Sequence, residues 1–220
     1  MKLRTKILSF ILSLLFSSIS FAGDECDKSI IKDIEAYLSQ NSKIAIPFIQ
    51  VNSKNDEEST GIIVIKKPNK FRVNYDSPHP LLITGSKNFI NIYDFELEEL
   101  SRVNSKDNFF RFLLDVNVSL EKSLIIQNCR VIDNQTELLL EHKETGQFSI
   151  VRFSIDPIML KNITILDNGK TLDAGFTSLI MSKPLLATQA PDDLFTVKDP
   201  KIYGKIKRLS TEELIKKISN

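Results

Sequence analysis

Short runs of apolar residues, separated by polar turns, recur along most of the chain. In several runs apolar and polar residues alternate, as in residues 71–75, and a period of two predicts half-buried strands. Turn residues fall between the runs, and Asn168-Gly169 is the strongest hairpin pair among them. We expect strands over residues 45–51, 62–65, 70–75, 81–84, 88–93, 124–131, 136–142, 148–155, 161–166 and 171–181. This number of short strands indicates a mainly β fold with some α, built as an antiparallel curled sheet or incomplete barrel.

One predicted strand differs from the others, because residues 62–65 are apolar at four successive positions. It forms a predicted hairpin with residues 70–75 through a turn at Pro68-Asn69. A strand that is apolar on both sides indicates that both faces of its sheet meet apolar surroundings. We interpret one face as the protein's own core and the other as the wall of a cavity for an apolar ligand.

Three segments show helical patterns instead. Residues 29–38 carry apolar residues at helical spacing and predict an amphipathic helix. Residues 108–114 hold three phenylalanines and two leucines, so the short helix predicted there must be buried or must cover something apolar. Residues 211–218 predict a polar-to-basic terminal helix, with Glu213 placed for a capping box. Before it, residues 190–200 predict a loop with one short strand.

The N-terminal segment has the pattern of a Sec-type signal peptide. Three basic residues precede an apolar run that is short for a membrane span, and Ser20-Phe21-Ala22 supplies small residues for cleavage after Ala22. We therefore expect residues 1–22 to be removed and the protein to lie in the periplasm. The rest divides into one domain, residues 23–200, and a basic C-terminal tail with a short helix, residues 201–220.

Charge and composition exclude several function classes. The chain has 29 basic and 28 acidic residues. Without the three basic residues of the signal peptide, 26 basic and 28 acidic residues remain, a net charge of −2. A nucleic-acid-binding protein would carry an excess of positive charge. The two histidines are far apart, and the sequence holds no metal-ligand spacing and no Gly-x-Ser-x-Gly elbow. We therefore expect a binding protein, with no catalytic residues, no metal and no cofactor.

The two cysteines, Cys26 and Cys129, would meet an oxidising compartment after export. One interpretation is a disulfide that ties the N-terminal segment to the barrel. The other is a pair of free thiols, because spacing in the sequence does not fix their geometry.

The order of the motifs resembles the LolA family of periplasmic carriers of outer-membrane lipoproteins, from about residue 27 to residue 200. No single motif is specific, but their order in an exported chain of this length is. The resemblance rests on the N-terminal helix, Phe48-Ile49-Gln50, Gly61 followed by Lys67-Pro68-Asn69-Lys70-Phe71-Arg72, Leu82-Ile83, Ile92-Tyr93-Asp94, the phenylalanine-rich insert, residues 167–179, and Asp193-Leu194-Phe195-Thr196-Val197 followed by Pro200.

The resemblance implies an incomplete β-barrel, a helical lid and an apolar cavity that holds the acyl chains of lipoproteins. The expected partners are acylated lipoproteins, an inner-membrane lipoprotein-releasing ABC transporter that supplies them, and an outer-membrane acceptor. It also implies a monomer that touches membranes only transiently.

The same resemblance suggests site residues. The family's latch arginine aligns with Lys67, whose single ammonium replaces a planar fork of five donors, so we expect a weaker latch, with Arg72 as a neighbouring candidate. Strand alternation, however, puts Arg72 on the face opposite Phe71. Ordinary core packing is the competing interpretation for the cavity and lid residues. The predicted cavity and lid residues are Ile63, Ile65, Lys67, Phe71, Phe109, Phe110, Phe112 and Leu113.

Two other functions fit the same pattern. One is a LolA-like carrier of a different lipid, either a phospholipid or a glycolipid. The other is a non-transporting module that uses the half-barrel to sense lipoproteins. The fold alone does not choose among them, because function depends on the site.

Overall fold

The computed structural model describes residues 24–76, 78–86, 88–104 and 109–219, with the backbone only at residues 24, 25, 109 and 110. The predicted signal peptide and its cleavage site therefore lie outside the described residues. Within those residues, no helix is both long enough and apolar enough to cross a membrane.

One antiparallel sheet dominates the described part of the chain. Its strands are β1 Asp24–Glu25, β2 Lys43–Asn52, β3 Glu57–Lys66, β4 Lys70–Tyr75, β5 Leu81–Gly85, β6 Phe89–Asp94, β7 Glu99–Asn104, β8 Leu124–Ile132, β9 Gln135–His142, β10 Phe148–Ile155, β11 Ile158–Leu166, β12 Phe176–Met181 and β13 Leu185–Leu186. Their order in the sheet is β1-β8-β9-β10-β11-β12-β2-β3-β4-β5-β6-β7, and β13 pairs with the start of β2. The sheet curls but does not close, so the predicted mainly β, incomplete antiparallel barrel is confirmed.

Helices lie on both faces of the sheet. The α-helices are α1 Lys28–Gln40, α2 Leu120–Ser123, α3 Pro200–Tyr203 and α4 Thr211–Ser219, and the 3₁₀ segments are Phe109–Leu114, Leu172–Ala174 and Asp192–Phe195. Helix α1 begins at an N-cap formed by Asp27, whose carboxylate accepts from the backbone N–H of Ser29 at 3.1 Å. Its apolar stripe buries Ile34 and Leu38 against the sheet.

The strand predicted over residues 62–65 has the expected two apolar faces. On the inner face, Ile65 belongs to the large core under α1 and Ile63 packs against that core. On the outer face, Ile62 and Val64 are fully buried in a second, smaller core. Residues in the middle of β3 therefore separate two hydrophobic clusters, which explains their continuous apolar character.

Helix α4 covers the second core. Leu214 and Ile218 are completely buried on the outer face, which stabilises the docked helix by roughly 1.5–3 kcal/mol for each side chain. The predicted capping box is confirmed, because the backbone N–H of Ser210 donates to Glu213 Oε2 at 2.9 Å and the N–H of Glu213 donates to Ser210 Oγ at 3.2 Å. The helix of the predicted tail thus packs on the sheet.

Two connections differ from the sequence prediction. Residues 171–181 do not form one strand after a tight hairpin; a 3₁₀ turn, Leu172–Ala174, precedes β12. The turn closes where Gly175 takes a φ of 102° and its carbonyl accepts from the N–H of Asp167 at 3.0 Å. Residues 190–200 also hold no strand. They form the 3₁₀ segment Asp192–Phe195, since Leu194 and Phe195 bury their side chains under α4.

Cys26 and Cys129 are bonded to each other. The backbone N–H of Cys26 donates to the carbonyl of Cys129 at 3.3 Å, and β1 continues the sheet beside β8. The bond ties the segment that precedes α1 to the sheet, as the first of the two interpretations predicted.

Candidate functional site

An apolar cavity of about 260 Å³ lies between the inner face of the sheet and the 3₁₀ segment Phe109–Leu114. Strands β2 to β7 supply most of its wall. Among the described residues, no charged side chain lines it, and Tyr75 is the one lining residue whose side chain carries a polar atom. The lining residues are Phe48, Ile63, Ile65, Phe71, Val73, Tyr75, Ile83, Ile90, Ile92, Val103, Leu113, Leu114, Ile163 and Leu179.

Strand register builds this wall in rows. Ile63 pairs with Val73, Val73 with Ile83, and Ile83 with Ile92, which gives one row of β-branched side chains across four strands. Residues directly opposite each other in neighbouring strands point to the same face, so one apolar position determines the face of the whole row. Of this row, only Ile63 was predicted from the sequence to line the cavity. The alternation of apolar and polar residues in β4, β5 and β6 was the signal that could have identified the other three.

A second row positions the aromatic side chain of Phe71. Ile65 pairs with Phe71, Phe71 with Gly85, and Gly85 with Ile90. The ring of Phe71 occupies the space above Gly85 that a side chain would fill. The structure thus brings Phe71 to the cavity wall, over a glycine that directly follows the strand predicted at residues 81–84.

The hydroxyl of Tyr75 is the polar group of the described cavity wall. Tyr75 donates its hydroxyl to Gln50 Oε1 at 2.8 Å and packs edge-on to the ring of Phe48, with centroids 5.2 Å apart. Burial raises the pKa of the Tyr75 phenol to about 12. The phenol therefore stays neutral and hydrogen-bonded, and adds no charge to the cavity.

The phenylalanine-rich insert covers the cavity. It is a 3₁₀ helix, Phe109–Leu114, in which Phe112, Leu113 and Leu114 are buried. Leu113 and Leu114 line the cavity, while Phe112 belongs to the inner core. The side chains of Phe109 and Phe110, predicted as lid residues, lie outside the described part of the chain.

The turn between β3 and β4 joins α1 to this cover. Lys67 Nζ donates to the carbonyl of Leu38 at 2.6 Å, near the end of α1, and the Lys67 N–H donates to Ser42 at 2.8 Å. Two residues later, the N–H of Asn69 donates to the carbonyl of Leu114 at 3.1 Å. Lys67 thus holds α1 and Asn69 holds the cover. Asn69 was not predicted as a site residue, because it acts through its backbone.

Burial changes the proton affinity of Lys67. Its pKa falls from 10.5 to about 8, because desolvation outweighs the attraction of the Asp115 carboxylate. Asp115 directly follows the cover segment in the chain. The ammonium therefore exerts a weak charge attraction toward the cover, in addition to its hydrogen bond to α1.

The cover is also tied to α1 on its C-terminal side. The N–H of Val118 donates to Ser39 Oγ at 2.9 Å, and the N–H of Leu120 donates to Glu35 Oε1 at 2.7 Å. These bonds fix residues 118–120, and in the preceding 3₁₀ segment the carbonyl of Leu114 accepts from Asn69. The cover is therefore tied to α1 through the residues that follow it.

Arg72 lies on the other side of the sheet, as alternation predicted. It is 5% exposed and donates to Asn74 Oδ1 at 2.7 Å and to the carbonyl of Leu194 at 2.9 Å. Burial lowers its pKa to about 10, against the opposing effect of Asp193. The idea that Arg72 serves as a second latch for the cover is therefore corrected, because its side chain anchors the 192–195 segment on the outer face.

Comparisons with known proteins agree with this geometry. The model of a family described as "Outer membrane lipoprotein carrier protein LolA" matches residues 39–198. An uncharacterized protein of Rickettsia prowazekii (strain Madrid E) is 31% identical over 188 residues, 85% of each chain. An outer-membrane lipoprotein carrier protein of Chromobacterium violaceum is 32% identical over 76 residues, 34% of this chain and 37% of its own.

Solved structures show weaker likeness. A LolA superfamily protein from Nitrosomonas europaea has a TM-score of 0.46 at 10% identity, over 77% of this chain and 96% of its own. A putative outer membrane lipoprotein-sorting protein domain from Vibrio parahaemolyticus has a TM-score of 0.42 at 12% identity, over 75% of this chain and 94% of its own.

Proposed function

The chain belongs to the LolA family, and on that premise we propose that it is a periplasmic carrier of lipoproteins. It binds the acyl chains of its cargo in the apolar cavity and ferries them from the inner to the outer membrane. An inner-membrane ABC transporter supplies the cargo and an outer-membrane acceptor receives it. The carrier works as a monomer and by binding alone, without catalysis or a cofactor.

The observation that carries this proposal is the uncharged cavity. The described part of its wall is aliphatic and aromatic, and the one polar group there, the Tyr75 hydroxyl, is already bonded to Gln50. A ligand with donors or charges would lose its water there without compensation, which costs several kcal/mol for each unpaired group. Alkyl chains have no such groups, so they are the chemical class that this cavity favours.

The size of the cavity indicates that binding requires a conformational change. Its volume of about 260 Å³ lies below the roughly 300–1,000 Å³ typical of sites for small ligands. The several acyl chains of one lipoprotein need more room than this. We infer that the cover is closed in this structure, and that loading displaces the segment Phe109–Leu114.

Energetics support reversible loading. Moving Leu113 and Leu114 off the sheet exposes apolar surface worth roughly 1.5–3 kcal/mol for each side chain, and the incoming acyl chains cover the same wall. Opening the cover also breaks the hydrogen bond from Asn69 to Leu114, worth about 0.5–1.5 kcal/mol, and weakens the attraction between Lys67 and Asp115. A small free-energy difference between the closed and open states lets a carrier accept and release cargo without nucleotide hydrolysis.

Lipids that co-purify with the protein from its host test the cargo. Mass spectrometry should find peptides that carry the triacylated N-terminal cysteine of lipoproteins. Free phospholipid or glycolipid in their place would contradict lipoprotein carriage and favour a carrier of that lipid. A cavity that remains empty in the presence of lipoproteins would favour the non-transporting, sensing role.

A further inference from the structure

A basic hollow of about 390 Å³ lies on the outer face of the sheet, opposite the apolar cavity. Part of its wall comes from residues 193–198 and part from the C-terminal segment. Four lysines line it, namely Lys198, Lys205, Lys207 and Lys217. The buried side chains of Arg72 and Leu82 also contribute to its lining.

Positive charge is concentrated in this region of the sequence. Residues 198–220 hold seven basic and three acidic residues, a net charge of +4. Residues 23–197 hold nineteen basic and twenty-five acidic residues, a net charge of −6. Such an asymmetry attracts an anionic surface to one end of the molecule although the whole chain is nearly neutral.

Little within the protein neutralises the charge of the hollow. Among the described residues, Lys198, Lys207 and Lys217 take part in no ion pair. Lys205 pairs with Glu98, and Asp193 is the one acidic residue in the lining. The hollow therefore has a surplus of ammonium groups that suits an anionic ligand.

Apolar side chains stand exposed beside these lysines. Ile202 is 74% exposed and Tyr203 is 67% exposed, both at the end of the short helix α3. The ammonium of Lys198 lies 5.3 Å from the centre of the Tyr203 ring. Soluble phosphate would leave Ile202 in water, whereas aromatic and aliphatic side chains next to lysines are typical of segments that enter the headgroup region of a bilayer.

We propose that residues 198–217 form a docking surface for the anionic phospholipid headgroups of a bilayer. Lys198, Lys207 and Lys217 contact headgroup phosphates, and Ile202 and Tyr203 enter the boundary between headgroups and acyl chains. This surface lies on the outer face, and nearly all of it follows the stretch that matches the family model. It holds the carrier at a membrane while the cavity on the inner face remains free to exchange cargo.

Vesicle binding by the purified protein tests this surface. Vesicles that contain phosphatidylglycerol should bind the protein in low salt, and vesicles of phosphatidylcholine alone should not. The Lys198→Glu/Lys207→Glu variant should bind the anionic vesicles at least about tenfold more weakly, because each lysine near such a surface contributes roughly fivefold. The matched control is Lys28→Glu/Lys32→Glu, which makes the same charge change at exposed positions of α1 and should bind as the wild type does.

Insertion of Ile202 and Tyr203 into the bilayer is measured separately, by fluorescence. The chain contains no tryptophan, so Tyr203→Trp introduces a single probe whose emission should shift to the blue and be quenched by brominated lipid. Ile202→Ser in that background should reduce the quenching. The proposal is overturned if the lysine variant and its control bind equally, if neutral vesicles bind as well as anionic ones, or if glycerol phosphate binds while vesicles do not.

Loss of acyl-chain binding in the apolar cavity should not change the binding of anionic vesicles. Phe71→Glu alters the inner face, so a Phe71→Glu protein should still bind anionic vesicles. The docking surface and the lipoprotein-carrier function can therefore fail separately.

Discussion

The ring of Phe71 lies directly over Gly85, its cross-strand partner in β5, and a Cβ at Gly85 would overlap the ring atoms. The two residues therefore act as one unit of the cavity wall. A similar relationship links Phe48 and Gly61, where the ring of Phe48 closes on the glycine. Glycine in a strand usually weakens it, and its presence here marks a close approach of a neighbouring group.

Gly85→Ala should push the ring of Phe71 into the cavity and reduce the binding of fluorescent acyl probes. The overlap should also lower the free energy of unfolding by about 1–3 kcal/mol, as overpacking usually does. Titration with an acyl probe and chemical denaturation measure the two effects. The double variant Phe71→Leu/Gly85→Ala should recover most of the stability, since leucine leaves room for the methyl group. A double variant no more stable than Gly85→Ala alone would show that the ring is not the cause.

Phe71→Glu should abolish binding of the same probes in a protein that still folds. A carboxylate in this uncharged wall costs several kcal/mol unless it finds a partner or draws water into the cavity. The control is Phe89→Glu, because Phe89 lies in the same sheet but is exposed beneath the guanidinium of Arg102. Equal probe binding by folded Phe71→Glu and Phe89→Glu proteins would remove Phe71 from the binding site.

Substitutions at Lys67 should change how often the cover opens. Lys67→Leu removes the donor to Leu38 and should speed amide hydrogen exchange in Phe109–Leu114 and in the last turn of α1 up to about tenfold, since one hydrogen bond is worth about 0.5–1.5 kcal/mol. Lys67→Arg keeps a donor and adds others, so it should slow exchange there. If both variants exchange as the wild type does, Lys67 is no latch, and the bond from Asn69 to Leu114 is the next contact to test.

Stability should rise with pH in the alkaline range because of Lys67. Its pKa is about 8 in the folded protein and 10.5 in the unfolded chain, so between these values the unfolded state holds more protons. The free energy of unfolding therefore increases with pH across this window, and the cost of the buried charge is fully present below it. Chemical denaturation at pH values on both sides of the window should show a rise in the wild type that is smaller in Lys67→Leu. Identical pH profiles would show that Lys67 is not desolvated.

The apolar–polar periodicity of the sequence predicted the strands that have one buried face. Strands β4 and β10 begin and end where alternation predicted. The continuous apolar run at residues 62–65 correctly predicted that both faces of β3 meet apolar surroundings. Strand β7, Glu99–Asn104, was not predicted. It lies at an open edge of the sheet with most side chains in water, so its sequence has little alternation of apolar and polar residues.

Contacts between distant segments were harder to predict than the strands. The bond from Asn69 to Leu114 uses backbone atoms only, so no particular residue type in the sequence indicates it. The role of Gly85 depends on the register of two hairpins, which alternation suggests but does not fix. Burial of α4 was missed because its two inward residues, Leu214 and Ile218, are a narrow stripe on an otherwise charged helix.

The central claim, that the protein carries lipoproteins between membranes, is tested most directly by depletion in its host. Newly made lipoproteins would be pulse-labelled and their membranes separated, with wild-type protein or the Phe71→Glu variant supplied from a second gene copy. The account predicts that mature lipoproteins accumulate at the inner membrane, and that only the wild-type copy restores their delivery. Normal delivery to the outer membrane in depleted cells that have no other carrier would contradict it.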